Sequence, residues 1–290
     1  MKKLFILLLL LLAFCACSRK ANEKSLLVMC GSANRPPMRE IADLYERETG
    51  VTVQLLYGSG GGLLAQIALT RKGDIYLPGS PDYIVKARKK HLIFPESTKR
   101  VCYLIPAIIT PKGNPRGIKT LQDLGKSGIK IAIGNPDTVC MGSYAIELLE
   151  KNNLLNQVMK NVAVYGGSCS KTANLAALNK VDAIIGWRVL HFWNPETMQY
   201  IPIEKKSLTR ISYVPISIPI YTRDRKEAQK FIDFVVSEKG KNIYRKHGYV
   251  TDKTLARSFA DQAVIGGEYS LPAAYFQLVR QHQPQPDNQR

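Results

Sequence analysis

Tyr57-Gly-Ser-Gly-Gly-Gly-Leu-Leu-Ala-Gln66 joins a run that reads as a strand, Val51–Tyr57, to one that reads as a helix, Leu63–Arg71. A glycine-rich turn in that setting aims backbone N–H groups and the positive end of a helix dipole at one point, which suits an anion. The same strand–turn–helix unit recurs on either side. Leu26–Cys30 predicts a strand. Pro36-Pro37 then opens a helix through Glu48, with Met38, Ile41, Ala42 and Tyr45 on its apolar face and Gly50 as its stop. Gly73–Leu77 predicts a further strand, and Pro78-Gly-Ser80 leads into a helix through Lys90. These are βαβ units, so the expected class is α/β, a parallel sheet covered by helices.

Downstream, Tyr103-Leu-Ile-Pro-Ala-Ile-Ile-Thr110 is a long β-rich run broken by proline, and Tyr213-Val-Pro-Ile-Ser-Ile-Pro-Ile-Tyr221 resembles it. Between them lies a second alternating block. It contains a short helix near Leu121–Lys126, strand Lys130–Ile133, helix Gly142–Lys151, strand Val162–Tyr165, helix Lys171–Lys180 and strand Asp182–Trp187. Two similar runs bracketing one block predict a lobe inserted within another, with two hinge crossover strands and a ligand cleft between the lobes. The expected boundaries are residues 26–104 and 217–270 for lobe 1 and 105–216 for lobe 2. Ala228–Val236 closes the first lobe, Gly240–Val250 packs its end, and residues 271–290 form a tail, disordered from Arg280 on.

The amino end bears on where the protein works. Lys2 and Lys3 precede the apolar run Leu4–Phe14, too short to span a bilayer but suited to a signal-peptide core. Ala16-Cys17 resembles a bacterial lipoprotein cleavage box, which assigns residues 1–16 to a signal peptide, Cys17 to lipidation and 17–25 to a polar tether. The expected location is the cell envelope, anchored by lipid and facing the periplasm or exterior. About 270 residues remain after cleavage, enough for one large or two medium domains. The net charge of +18 raises the encounter rate with anions. Nucleic acid is disfavoured, because the chain is exported and its basic residues are scattered. His91, His191, His247 and His282 lack metal-ligand spacing, and no cofactor or metal site is expected.

Four predicted strand-to-helix junctions carry small or polar residues: Cys30-Gly-Ser32, Tyr57–Gly62, Asn135–Gly142 and Gly166–Ser170. In open α/β sheets ligands sit at the carboxyl ends of strands, where these junctions fall. Hydroxyls and N–H groups can replace an oxyanion's hydration shell when enough of them converge. Ser168-Cys-Ser-Lys171 also matches the SxxK pattern of acyl-transfer enzymes, but the companion SDN and KTG motifs are absent, and the chain is read as no enzyme.

The order and spacing of Val28-Met-Cys-Gly-Ser-Ala33, Tyr57–Gln66, Gly73-Asp-Ile-Tyr76, Ile131–Pro136 with Gly142-Ser-Tyr-Ala145, and His247-Gly-Tyr249 resemble the molybdate/tungstate-binding proteins of ABC importers, over roughly Leu26–Val250. The resemblance implies the two-lobed periplasmic-binding-protein fold (type II), and capture of a small oxyanion for delivery by a monomer to an ABC permease. It places the first-loop serine on Ser32 and the second on Ser59 or Gly60. The backbone donors fall on Met141 and Cys169. The family's hydroxyl-donating tyrosine falls on Trp187, whose indole N–H is the donor left at that position. Thr138–Ser143 holds no carboxylate, so molybdate, tungstate or sulfate, which want donors only, fit better than a protonated phosphate.

Cys30, Cys140 and Cys169 fall beside these loops, and Cys102 beside the first hinge run. One reading pairs Cys140 and Cys169 in a disulfide; another is a soft-ligand pocket for a thiolated anion or thiophilic metal; a third is plain packing. A lipoprotein that presents its ligand to a membrane sensor would need the same pocket as an importer's binding protein.

Overall fold

The computed structural model describes residues 24–282; the signal segment, Cys17 and most of the tether lie outside them. The first lobe is built from β1 (Ser25–Gly31), α1 (Arg35–Thr49), β2 (Thr52–Gly58), α2 (Gly60–Thr70), β3 (Ile75–Leu77), α3 (Pro81–Lys89) and β4 (Ile93–Leu104). The second lobe follows as β5 (Pro106–Pro111), β6 (Ile131–Gly134), α4 (Cys140–Lys151), α5 (Leu155–Met159), β7 (Val162–Gly166), α6 (Cys169–Ala177), β8 (Ala183–Trp187), α7 (Leu190–Trp193) and β9 (Met198–Pro202). The chain then returns through β10 (Arg210–Pro219), α8 (Arg225–Val236), α9 (Glu238–Lys246), α10 (Lys253–Phe259), β11 (Val264–Ile265) and α11 (Ala273–His282).

Two sheets result, in the order β11-β10-β3-β1-β2, with β4 also on β10, and β7-β6-β8-β5-β9. Parallel pairs β1–β2, β1–β3, β6–β7 and β6–β8 form the centre of each, as the βαβ pattern requires. This is the two-lobed type II arrangement. The chain passes between sheets at Ile105 and again between Pro202 and Arg210. The sequence reading set the return at 216–217; the pairing of Ser212 with Leu104 through Pro219 with Ile93 keeps that whole stretch in the first sheet.

Local chemistry accounts for the element ends. Gly50 caps α1 at φ 70°, donating its N–H to Glu46 O, a left-handed conformation that favours glycine. α1 buries Met38, Ile41 and Tyr45, and the Tyr45 ring meets Phe231 of α8 edge-on at 5.0 Å. Each such side chain contributes roughly 1.5–3 kcal/mol by leaving water. The sequence began the second helix at Leu63, yet α2 starts at Gly60: Ser59 caps it by accepting from Gly62 N–H at 3.2 Å. Cys140 and Cys169 likewise open α4 and α6 two residues earlier than the sequence reading placed them. The tail is corrected as well. Arg280 lies inside α11, which packs on α5 and buries Tyr275.

Candidate functional site

The carboxyl ends of β1, β2 and β3 face those of β6 and β7 across the gap between the sheets. Ser32 follows β1 in a 3₁₀ turn and is buried. Its Oγ accepts the N–H of Ser170, from the first turn of α6, at 3.3 Å. Gly61 N–H of α2 donates to Thr138 O, from the loop before α4, at 3.0 Å. These two hydrogen bonds run from lobe to lobe, so the cleft is shut. Where the strand ends and helix N-termini meet, what remains is a cavity of about 10 Å³, one water's worth of space. Gly31–Ala33, Gly58–Gly60 and Gly79 wall it from the first lobe, and Val139, Cys140 and Cys169 from the second.

Three larger hollows lie outside it. One of about 220 Å³ sits behind the crossover at Ile105 beside Arg188 and Tyr200, and one of about 320 Å³ at the amino ends of β1 and β2 beside Asp74 and Arg223. A third, of about 210 Å³, opens between the lobes along α2 and α3, beside Lys86, Lys90, Asp137 and Thr138. None of them is walled by the ends of β1 and β2 together with the N-termini of α4 and α6, the kind of place such sheets use. The small cleft is therefore the candidate site.

Of the residues singled out in the sequence, Ser32, Ser59, Gly60 and Cys169 line the cavity. Gly60 is closely confined: a Cβ there would run into the Tyr83 ring. Its carbonyl accepts from Tyr76 Oη at 2.8 Å. Met141 and Trp187 stand behind the wall, both buried. Trp187 packs edge-on against Tyr144 at 5.0 Å, and its Nε1 has no hydrogen-bond partner of ordinary geometry. The Cys169 thiol is the polar group beside it.

The thiols divide by position. All four described cysteines are free, so the paired reading of Cys140 and Cys169 does not describe this structure. Cys30 turns from the cavity, donates to Gly31 O, and is pushed to a high pKa by burial. Cys140 and Cys169 face each other. Interaction with the Cys140 thiol, then with Trp187 N–H and the backbone N–H groups of Met141 and Cys169, holds the Cys169 thiol below its ordinary value against burial. Interaction with Cys169 and burial together raise that of Cys140. The donors predicted for an anion from the second lobe, at Met141, Cys169 and Trp187, thus lie about the Cys169 sulfur in the closed form.

A second interlobe feature has no local sequence signal. Arg210, buried at the foot of β10, donates to Asp82 of α3 at 3.0 Å and to Glu147 of α4 at 2.5 Å, and stacks 3.7 Å over Tyr144. It ties both lobes to the return crossover. Burial raises the Glu147 pKa although Arg210 opposes it. Cys140, expected beside the site loops, lines the cavity, whereas Gly79 was missed; Pro78-Gly79-Ser80 reads as a plain helix entry.

Two sheets joined by two crossovers, with opposed helix N-termini closing on a small cavity, define an extracytoplasmic solute-binding protein of the ABC-importer type. The chain belongs to the bacterial extracellular solute-binding protein family, whose profile matches residues 26–250. It is 25% identical to YvgL of Bacillus subtilis, named as an ABC transporter substrate-binding lipoprotein, over 84% of this chain and 94% of that one. It is 23% identical to the molybdate-binding protein ModA of Azotobacter vinelandii, over 81% and 92%. Its fold superposes on the Azotobacter vinelandii periplasmic molybdate-binding protein with TM-score 0.68 at 18% identity, covering 79% of this chain and 100% of that one. The sulfate-binding protein SubI of Mycobacterium tuberculosis gives 0.72 at 14% identity, covering 84% and 94%.

Proposed function

We propose that the protein captures a small tetrahedral dianion, molybdate or tungstate, between its lobes and delivers it to a membrane permease without transforming it. The observation that carries this reading is the convergence of the helix N-termini of α2, α4 and α6 with the Ser32 and Ser59 hydroxyls on one interlobe point. No carboxylate lines that point. Such a site offers donors and dipole ends and no base to take the proton of a phosphate. The names of the Azotobacter and Mycobacterium proteins, molybdate- and sulfate-binding, support a dianion of this shape.

A tetrahedral anion needs more room than one water, so the lobes part to admit it. They close again because the anion touches both lobes only in the closed form, and that differential affinity shifts the population. Ser32, Ser59 and Gly60 hold it from one side, and the N-termini at Met141 and Cys169, with Trp187 Nε1, from the other. On binding, the Cys169 side chain turns aside and its N–H donors pass to the anion. A lipid on Cys17 keeps the monomer at the membrane beside its permease.

Calorimetric titration of the purified protein with molybdate, tungstate, sulfate and phosphate tests this. The expected result is one site per chain, tightest for molybdate or tungstate. If none of the four binds below millimolar concentration, the oxyanion reading is wrong.

A further inference from the structure

The closed cleft leaves space for one atom, and its wall on the second lobe is two sulfurs. We propose that Cys140 and Cys169 form a two-coordinate site for a soft monovalent cation, Cu(I) or Ag(I), bound in the closed state. This goes beyond oxyanion capture and does not depend on it.

Three observations carry the proposal. The thiols come from the first residues of α4 and α6, elements of one rigid sheet, so the pair exists without any motion of the other lobe. Both line the same cavity, and the side chains around them are Gly, Ser, Ala and Val. Among the described residues no group of three or more His, Cys, Asp or Glu is placed to hold a metal ion. A pair of thiolates with no further ligand is a donor set that soft d¹⁰ ions accept, whereas a structural zinc takes four ligands.

The third observation is the buried Trp187 Nε1, which finds no acceptor in the closed form and lies beside the Cys169 thiol. A neutral thiol is a poor acceptor for an indole N–H; a metal-bound thiolate is a good one. The backbone N–H groups at Met141 and Cys169 add to the same stabilisation. Binding involves no redox change: the two thiols release two protons to solvent, two S–Cu bonds form, and one net negative charge remains on the complex. The N–H donors balance that charge. Across the cleft, Gly79 has no side chain, and a Cβ there would stand 2.8 Å from the Cys140 sulfur, so the ion is covered without crowding.

The test is an anaerobic titration of the reduced full chain with Cu(I) against a chromophoric Cu(I) indicator. One equivalent should leave the indicator, with growth of ultraviolet sulfur-to-copper absorption. Cys140→Ser and Cys169→Ser should each abolish that equivalent, whereas Cys102→Ser should keep it. Trp187→Phe should weaken Cu(I) binding about tenfold or more, the usual cost of losing a donor to a ligating atom. Should a serine variant fail to fold, Ag(I) footprinting of the wild-type chain reads the same claim. One equivalent should slow alkylation of Cys140 and Cys169 about tenfold, mapped by mass spectrometry. No competition with the indicator, or no protection of those two thiols, overturns the proposal.

Discussion

Gly79→Ala isolates lobe closure from lobe folding. Gly79 belongs to the first lobe and Cys140 to the second, and they meet only when the cleft is shut. An alanine Cβ would lie 2.8 Å from the Cys140 sulfur and 3.8 Å from Ala33 Cβ. The second contact is ordinary; the first is closer than real Cβ atoms come, so the sulfur must move within a packed wall. Overpacking of this kind costs about 1–3 kcal/mol. The open form is spared, so the whole cost falls on closure and hence on ligand affinity. At 1.4 kcal/mol per factor of ten, molybdate binding should weaken by about 5- to 150-fold. Calorimetry reads the affinity, thermal melting reads the ligand-free stability, and small-angle scattering reads the population of the closed form. Melting without ligand should be unchanged. Removing the obstructing sulfur should cancel most of the penalty, so Gly79→Ala should have little effect when measured in a Cys140→Ala background. Unchanged affinity in the single variant, or a large drop in ligand-free melting temperature, would refute the assignment of this contact to closure.

Ser32→Ala removes a hydroxyl that reaches across the cleft; a hydrogen bond to a charged ligand is worth about 1.5–3 kcal/mol, so molybdate affinity should fall roughly 10- to 150-fold by calorimetry. Arg210→Met leaves Asp82 and Glu147 buried without their cation and should destabilise the fold by about 3–5 kcal/mol in urea titration. The pH dependence has two signs. The raised pKa of Glu147 contributes stability that is full below its unfolded value and lost as pH rises through the folded one, so Glu147→Gln should flatten the decline of melting temperature above the ordinary carboxylate range. Glu227, held low chiefly by the Tyr45 hydroxyl, contributes stability present above its unfolded value and lost on acidification, so Tyr45→Phe should reduce the acid sensitivity of melting.

Much of this molecule is legible in its sequence because its units are local. A strand followed at once by a helix announces itself in apolar periodicity, and the first proline-broken β run holds a crossover, at Ile105; the second lies largely within β10, past the return crossover. Helix starts were less legible. Glycine's poor helix propensity argues against a helix beginning at Gly60, but Ser59 caps it and the Tyr83 ring fills the space that a side chain would need. Ser32 and Ser59 could be singled out at their junctions from the sequence, and both line the cavity. Gly79 could not, because its role comes from the approach of Cys140 across the cleft. The Arg210–Asp82–Glu147 cluster joins residues far apart in the chain, and no spacing rule links them. Trp187 was legible as a position, through the resemblance, but its neighbour was not: that the indole would lie beside a sulfur depends on how α6 is set against β8.

The central claim is that an anion lies between Ser32 and Ser59 on one lobe and the first turns of α4 and α6 on the other. Crystals grown with tungstate, measured at the tungsten absorption edge, test it most directly. The account predicts a single strong anomalous peak in the interlobe cleft, within hydrogen-bonding reach of Ser32 Oγ, Ser59 Oγ and the N–H groups of Met141 and Cys169. A peak in another hollow, or a closed cleft without one at saturating tungstate, would contradict it.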